Sequence, residues 1–384
     1  MTTARTLCLI DTVGSGGGAE QFLASLLPMM RRRGVDVEIA ALFDWPDDLQ
    51  SPFREAGVPL HLLHAPGQSI SVDSVRRVYA LARSGRFNLF WGHLWMGNLH
   101  ARLVQLAIRG AASVITLHNQ GRGDAPSRLK DKVSVALERH LLAGASMKVA
   151  VSHGAAHQWA GRHGWKTIEV AHNGIDLAHI ETLSAHTAAP ALRRAWDVEE
   201  HAFLIVNPAR LVPLKRHVDL LAATAILARE LPCPVRVICC GDGPDRADLE
   251  ARTRMLGLEQ SVTFTGNLAQ QRLFPLMAAA DAVALLSLRE GFGLAAAEAL
   301  AMRVPTVLTA VDGFLELVGD SDGAFLVPPA EPRAIADALA AIHADPQASR
   351  TVARRGAAHV AACYDIAASA ARWDQLLRQA GGDR

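Results

Sequence analysis

Short apolar, β-branched runs, each followed by a longer stretch with helical spacing, recur along these 384 residues and constrain the fold more than any other feature. In the front half they read TLCLID (6–11), VDVEIAAL (35–42), LFWGHL (89–94), SVITLHN (113–119) and MKVAVSH (147–153). Near-continuous apolar runs are what strands buried on both faces look like, and their alternation with helical patterns predicts a parallel sheet wrapped by helices. After IEVAHNGIDL the pattern lapses into a polar, helix-like stretch from 177 to 200 and restarts at AFLIVNPARL (202–211). VRVICCGDG (235–243), SVTFTGN (261–267), AVALLSL (282–288), PTVLTA (305–310) and GAFLVPP (323–329) continue the second series. The expected fold class is therefore α/β with two doubly wound units, one over 1–180 and one over 181–365; the length agrees, being too great for a single ordinary core. Ligands of such sheets sit at the carboxyl ends of the strands, so the cleft between two of them is the expected binding place.

Composition removes several classes of function. No apolar run approaches the roughly 20 residues of a spanning helix, and no charged-then-apolar leader begins at Met1, so a cytoplasmic protein is expected. The five cysteines, Cys8, Cys233, Cys239, Cys240 and Cys363, are scattered and odd in number, which suits neither a disulfide framework nor zinc spacing. A formal charge of +1 argues against a nucleic-acid partner. It divides into +4 over residues 1–190 and −3 over the rest. The front-half excess sits in Arg31, Arg32, Arg33, Arg76, Arg77, Arg128, Lys130 and Lys132, which read as solvated faces, with anionic lipid or a polyanionic acceptor as the alternative.

Three loops carry chemistry. DTVGSGGGAEQFLASLL places Gly14, Gly16, Gly17 and Gly18 between the first strand and a helix, where exposed amides favour an anion; a tight turn that binds nothing has the same signature. No dinucleotide or Walker fingerprint is present. NPARLVPLKRH puts Arg210 and Lys215 just beyond the first strand of the second unit, suited to a diphosphate; a solvated loop with stray basic residues reads the same. REGFGLAAAEALAMRVP sets Glu290 in a loop, Gly291 and Gly293 at a turn, and Glu298 on the second turn of a helix starting near Leu294. Ala295, Ala296 and Ala297 keep that helix thin, and a carboxylate there can accept both hydroxyls of a ribose; the alternative is one helix-capping acid and one surface acid.

REGFGLAAAEALAMRVPTVLTAVDGFLELV resembles the Glu-x7-Glu signature of the retaining glycosyltransferases of family 4, which have the GT-B fold of two facing Rossmann-like domains. GGAEQFLASLL, VAVSHGA, AHNGIDL, ARLVPLK, GDGPDRADLE, VTFTGN and GAFLVPPAEPRAIADAL extend the resemblance along the chain, and ASAARWDQLLRQA resembles the tail, about 366–384, that packs back on the first domain. The resemblance implies a catalytic set of Glu290, His118, Arg210 and Lys215. It implies that Glu298 holds the ribose, Glu290 the donor-sugar hydroxyls, and Arg210 and Lys215 the diphosphate. Gly17 and Gly18 would close over the same phosphates, the backbone of Phe292, Gly293 and Leu294 would face sugar and phosphates, and Gly266 would lie near the base. His118 would touch the donor sugar. His93 and His100 read as satisfied polar groups of the fold, with contact to the acceptor as the alternative.

The implied reaction moves a sugar from a nucleotide-sugar donor to a hydroxyl of a carbohydrate or lipid-linked acceptor with retention, in polysaccharide, lipopolysaccharide or glycolipid synthesis. A front-face attack, with the leaving phosphate taking the acceptor's proton, fits better than Glu290 as a covalent nucleophile, whose expected contacts are hydroxyls. No Asp-x-Asp motif stands where a metal would bridge a diphosphate, so no cofactor is expected and Arg210 and Lys215 replace a cation. Three positions depart from the family: Arg303 and Arg216 stand where glycine is common, and Asp312-Gly313 replaces Gly-Gly. The segment 127–144 reads as an amphipathic helix that packs on its own sheet or, alternatively, touches a membrane surface. Two other functions fit the same architecture: a nucleotide-sugar 2-epimerase and a non-catalytic nucleotide-sugar-binding protein. Base, sugar and acceptor are not written in the sequence.

Overall fold

The computed structural model describes residues 4–13, 17–43, 50–66, 70–118, 139–184 and 189–382. They form two units, one of residues 1–174 with 366–384 and one of residues 175–365. The N-terminal unit runs β1 (Thr6–Ile10), α1 (Gly18–Arg32), β2 (Val37–Ala41), α2 (Gln50–Glu55), β3 (Leu60–Leu62), α3 (Val72–Ser84), β4 (Leu89–Gly92), α4 (Leu94–Ala107), β5 (Ala112–Leu117), β6 (Met147–Ala150), α5 (His153–His163) and β7 (Glu169–Val170). All its strand pairs are parallel, in the order β3-β2-β1-β4-β5-β6-β7.

The second unit runs α6 (Leu177–Ser184), α7 (Ala189–Ala195), β8 (Phe203–Pro208), a 3-10 turn at Pro213–Lys215, α8 (His217–Glu230), β9 (Val235–Cys240), α9 (Arg246–Met255), β10 (Val262–Gly266) and α10 (Gln270–Ala278). It continues with β11 (Ala282–Leu285), α11 (Leu294–Ala301), β12 (Thr306–Thr309), α12 (Asp312–Val318), β13 (Phe325–Val327), α13 (Pro332–Ala344) and α14 (Pro346–Cys363). Its six strands are again all parallel, in the order β10-β9-β8-β11-β12-β13. The last helix, α15 (Ile366–Gly381), belongs to the N-terminal unit and lies against α1.

Each sheet reverses its winding once, between β1 and β4 and between β8 and β11, which opens a crevice at the carboxyl ends of those strands. Central strands are apolar at nearly every position because helices cover both faces; β1, β2, β4, β8 and β11 are buried throughout. Each unit has its own core, from Leu7 to Trp165 in the first and from Phe203 to Ile342 in the second. Close helix–sheet approach in the first unit depends on Gly97, where a Cβ would sit 2.3 Å from the Leu9 carbonyl oxygen. The free cysteines agree with the absence of a disulfide framework, Cys8, Cys239 and Cys240 being buried.

Candidate functional site

In the second unit one buried amide and several main-chain bonds tie together β8, β11 and the loops that follow them. Asn207, buried in β8, donates from Nδ2 to the Ala284 carbonyl at 2.6 Å. The loop that follows is clasped by the Gly241-Asp242-Gly243 turn after β9: Leu211 N–H donates to the Asp242 carbonyl at 3.0 Å and Asp245 N–H to the Leu211 carbonyl at 3.1 Å. Only glycine permits this approach, since a Cβ on Gly241 would lie 2.1 Å from the Ala209 oxygen and one on Gly243 2.2 Å from the Leu211 oxygen. Leu288 N–H then donates to the Leu214 carbonyl at 2.9 Å, bringing the segment after β11 onto the 3-10 turn.

The side chains complete that junction. Lys215 Nζ meets Glu290 Oε2 at 2.5 Å, and Ser287 Oγ donates to the same oxygen at 3.1 Å. Ser287 is itself fixed, its carbonyl accepting the buried Thr309 hydroxyl at 2.6 Å. Arg210 is exposed and has no acidic partner among the described residues. His217, directly beyond the turn, is buried, and burial together with the Lys215 charge pulls its pKa down to about 4, so it adds no charge there. Arg216 spends its charge on Asp219, with two bonds of 2.7 Å. The open cation is thus Arg210, with Lys215 half-neutralised by Glu290.

The glutamate helix begins as the spacing predicts. Gly293 caps it in the left-handed region at φ +94°, and a Cβ there would fall 2.5 Å from the Phe314 ring. Leu294 stands at the first helical position, where N–H groups have no intrahelical acceptor. The Phe292 side chain turns into the core against Tyr364, ring centroids 5.1 Å apart, so only its backbone can serve a ligand. Gly313, at the start of α12, backs the loop: its Cβ position is 2.5 Å from the Glu290 oxygen. Glu298 keeps a partial opening to solvent but has no hydrogen-bond or ionic partner among the described residues, and the protein packed around its carboxyl raises its pKa to about 8. Gly266 ends β10 at φ +73°, beside an irregularity in the β9 pairing, and bridges Gly241.

Two of the family departures prove to be backbone features. Arg303 ends the glutamate helix at φ +61°, with Arg303 N–H bonded to the Leu300 carbonyl and Val304 N–H to that of Ala299, the two bonds of a Schellman cap built without glycine. Arg216 sits at φ +51°, ψ +39°. Both keep the left-handed turn and carry its strain, instead of abolishing it.

In the N-terminal unit the ends of β4 and β5 set His93 beside His118, Nδ1 to Nε2 at 2.7 Å. His93 is wholly buried; His118 is half-buried, and burial lowers its pKa to about 4. Asp11, after β1, accepts from Gly97 N–H at 2.9 Å; burial outweighs its backbone bonds and raises its pKa to about 6. Gly17 caps α1 with extended backbone, its Cβ position filled by the Glu20 carboxylate, and Gly18 is exposed. Gly14 and Gly16 lie outside the described residues, as do Arg128, Lys130, Lys132 and the amphipathic stretch 127–144 except its last residues. Arg31 and Arg77 have local partners in Asp36 and Asp73, while Arg32, Arg33 and Arg76 are exposed, as a solvated face and an anion-facing surface both require. No described helix is long and apolar enough to cross a membrane.

Residues 16–179 match the family model for Glycosyltransferase Family 4, and residues 189–359 that for Glycosyl transferases group 1. A D-inositol 3-phosphate glycosyltransferase of Xylanimonas cellulosilytica is 30% identical over 88% of this chain and 86% of its own length. The chain belongs to the family 4 glycosyltransferases. A relative of the same name from Salinispora tropica is 28% identical over 95% of this chain and 80% of its own. The fold is GT-B: the Anabaena protein Alr3699/HepE, solved in complex with UDP-glucose, superposes with a TM-score of 0.81 at 23% identity over 97% of this chain and 98% of that one. Within this glycosyltransferase, sequence reasoning did not single out Ser287, Thr309, Gly241, Gly243 or the part of Gly313 in shaping the loop. Gly-Asp-Gly directly after an apolar strand was the available signal for the two glycines, and a serine three residues before Glu290 the signal for the hydroxyl.

Proposed function

We propose that this glycosyltransferase takes its sugar from a uridine diphosphate donor and passes it, with retention, to a hydroxyl of a carbohydrate or lipid-linked acceptor. The observation that carries the reading is the junction of Lys215, Glu290 and Ser287 on the switch-point strands, in the same unit as Arg210 and Glu298, which have no ionic partner among the described residues. A diphosphate laid on Arg210 and Lys215 gains charge-assisted bonds where negative charge builds as the anomeric bond breaks. Lys215 then stands between leaving group and Glu290, whose carboxylate, kept in place by Ser287, accepts from sugar hydroxyls. Glu298 accepts the two ribose hydroxyls. In the N-terminal unit, His118 contributes a hydrogen bond to the sugar. The acceptor's proton passes to the departing phosphate, so no protein nucleophile is needed, and the cations make a metal unnecessary.

The choice of uridine draws on the UDP complexes of Alr3699/HepE, and the names of the relatives make D-inositol 3-phosphate one acceptor to try beside glycan and lipid-linked hydroxyls. Thermal shift against UDP, GDP and ADP sugars selects the donor; a ligand at 100 times its dissociation constant adds about 2.7 kcal/mol. Turnover with the selected donor is expected to survive EDTA and to be lost on Glu298→Ala, with an α-donor giving an α-product by NMR. Turnover that chelation abolishes and manganese restores would overturn the metal-free assignment, and an inverted product the stereochemical one.

A further inference from the structure

We infer that His93 is a positioning residue that holds His118 in its Nδ1-protonated tautomer, so that His118 offers a hydrogen-bond donor, not a base, to whatever it contacts. The two rings share one short contact, His93 Nδ1 to His118 Nε2 at 2.7 Å, and a single proton lies on that line. Burial holds both below the ordinary imidazole range, His93 well below it, so each ring is neutral and carries one N–H.

Two arrangements remain. If His118 Nε2 donates, the proton of His93 must sit on its Nε2, which is buried and has no partner among the described residues. A buried N–H without an acceptor forfeits its bond to water and gains nothing in return, so this arrangement carries the full desolvation cost of that group. If His93 Nδ1 donates instead, its Nε2 is a bare ring nitrogen with no proton to satisfy, and the orphan donor disappears. The proton of His118 then sits on Nδ1. That atom has no hydrogen-bond partner among the described residues, and His118 as a residue is only half-buried.

The surroundings of His93 reinforce the choice. Its ring packs on Trp91, centroid 4.5 Å away, with Trp373 of α15 next to both at 6.1 Å from His93, the two tryptophans fully buried. Trp91 Nε1 already donates to Thr116 Oγ1, and His93 N–H to the Leu9 carbonyl. Among the described residues the neighbours therefore hold the ring without supplying an acceptor for its Nε2.

The tautomer can be read directly by 15N NMR of the full chain labelled at histidine, with no ligand, using His118→Gln to assign the signals. The expected spectrum shows pyrrole-type Nδ1 and pyridine-type Nε2 for His118. His93→Asn, whose Nδ2 can replace His93 Nδ1 as donor, keeps that pattern; His93→Leu, matched for folding by circular dichroism, loses it. A wild-type His118 protonated on Nε2, or a His93→Leu spectrum unchanged at His118, overturns the inference. The consequence for catalysis rests on the donor reading above: His93→Leu should lower kcat about tenfold, the worth of one misplaced hydrogen bond, with His93→Asn restoring it. An inactive wild type with the expected spectrum would sink the donor reading and leave the tautomer standing.

Discussion

Arg216 and Arg303 share a backbone conformation but not their company. Each bears the left-handed strain of roughly 1 kcal/mol that glycine would avoid. Arg303 is exposed and unpaired among the described residues, so Arg303→Gly should raise stability by up to about 1 kcal/mol, part of the relief being returned as unfolded-chain entropy. Arg216 neutralises Asp219, a nearly buried carboxylate, so Arg216→Gly should instead lose about 2 kcal/mol. Urea unfolding of the two variants should move in opposite directions. Glu298 gives a pH signature. Its carboxyl holds its proton to about pH 8 in the fold against an ordinary 4.5, so its favourable contribution is whole below 4.5 and declines as pH rises through 8. Wild type should lose stability relative to Glu298→Gln across that window, while nucleotide affinity, which needs the ionised form for the ribose hydroxyls, should rise with pH and level off above 8. A flat affinity profile would remove Glu298 from the ribose. The eight-residue spacing and the flanking glycines made both acids legible in the sequence. The Lys215–Glu290 pair was not, because its members stand 75 positions apart and only the paired strands bring them together.

Elements were legible where burial leaves no choice of residue. Every quoted apolar run contains a strand, and the helix at Leu294 starts where its glycine ends the turn. β3, of three residues, was missed because so short a pairing at a sheet edge needs no apolar run, and β7 is only two residues of the stretch IEVAHNGIDL. The contact between α12 and the Glu290 loop was equally hidden, since it depends on what Gly313 lacks. Gly313→Ala must drive the Glu290 backbone away from a 2.5 Å approach, and a shift near 1 Å in a reacting group costs about 100-fold, so kcat should fall far more than melting temperature. α15 makes the reverse prediction. Trp373 is fully buried against Trp91, ring centroids 4.7 Å apart, and Trp373→Ala should cost about 3–5 kcal/mol, measured by denaturant unfolding of the N-terminal unit.

At the scale of the molecule, two parallel sheets of Rossmann order carry separate cores, and a nucleotide held by the second should protect that unit first. Hydrogen exchange with UDP present should slow in β8, β11 and the helix at Leu294 more than in β2 or β3; uniform or reversed protection would place the nucleotide elsewhere. The second unit also has its two chain ends side by side, Ile175 paired with Asp365 and its N–H bonded to the Tyr364 carbonyl at 2.9 Å. It is in effect an insertion into the N-terminal unit, which is finished only by its last helix. A ribosome making this chain from the front therefore completes the domain it starts second before the one it starts first. Until Trp373 has emerged, the wall of Trp91 and His93 that it will cover stays bare, a sticky interval in the life of each new molecule.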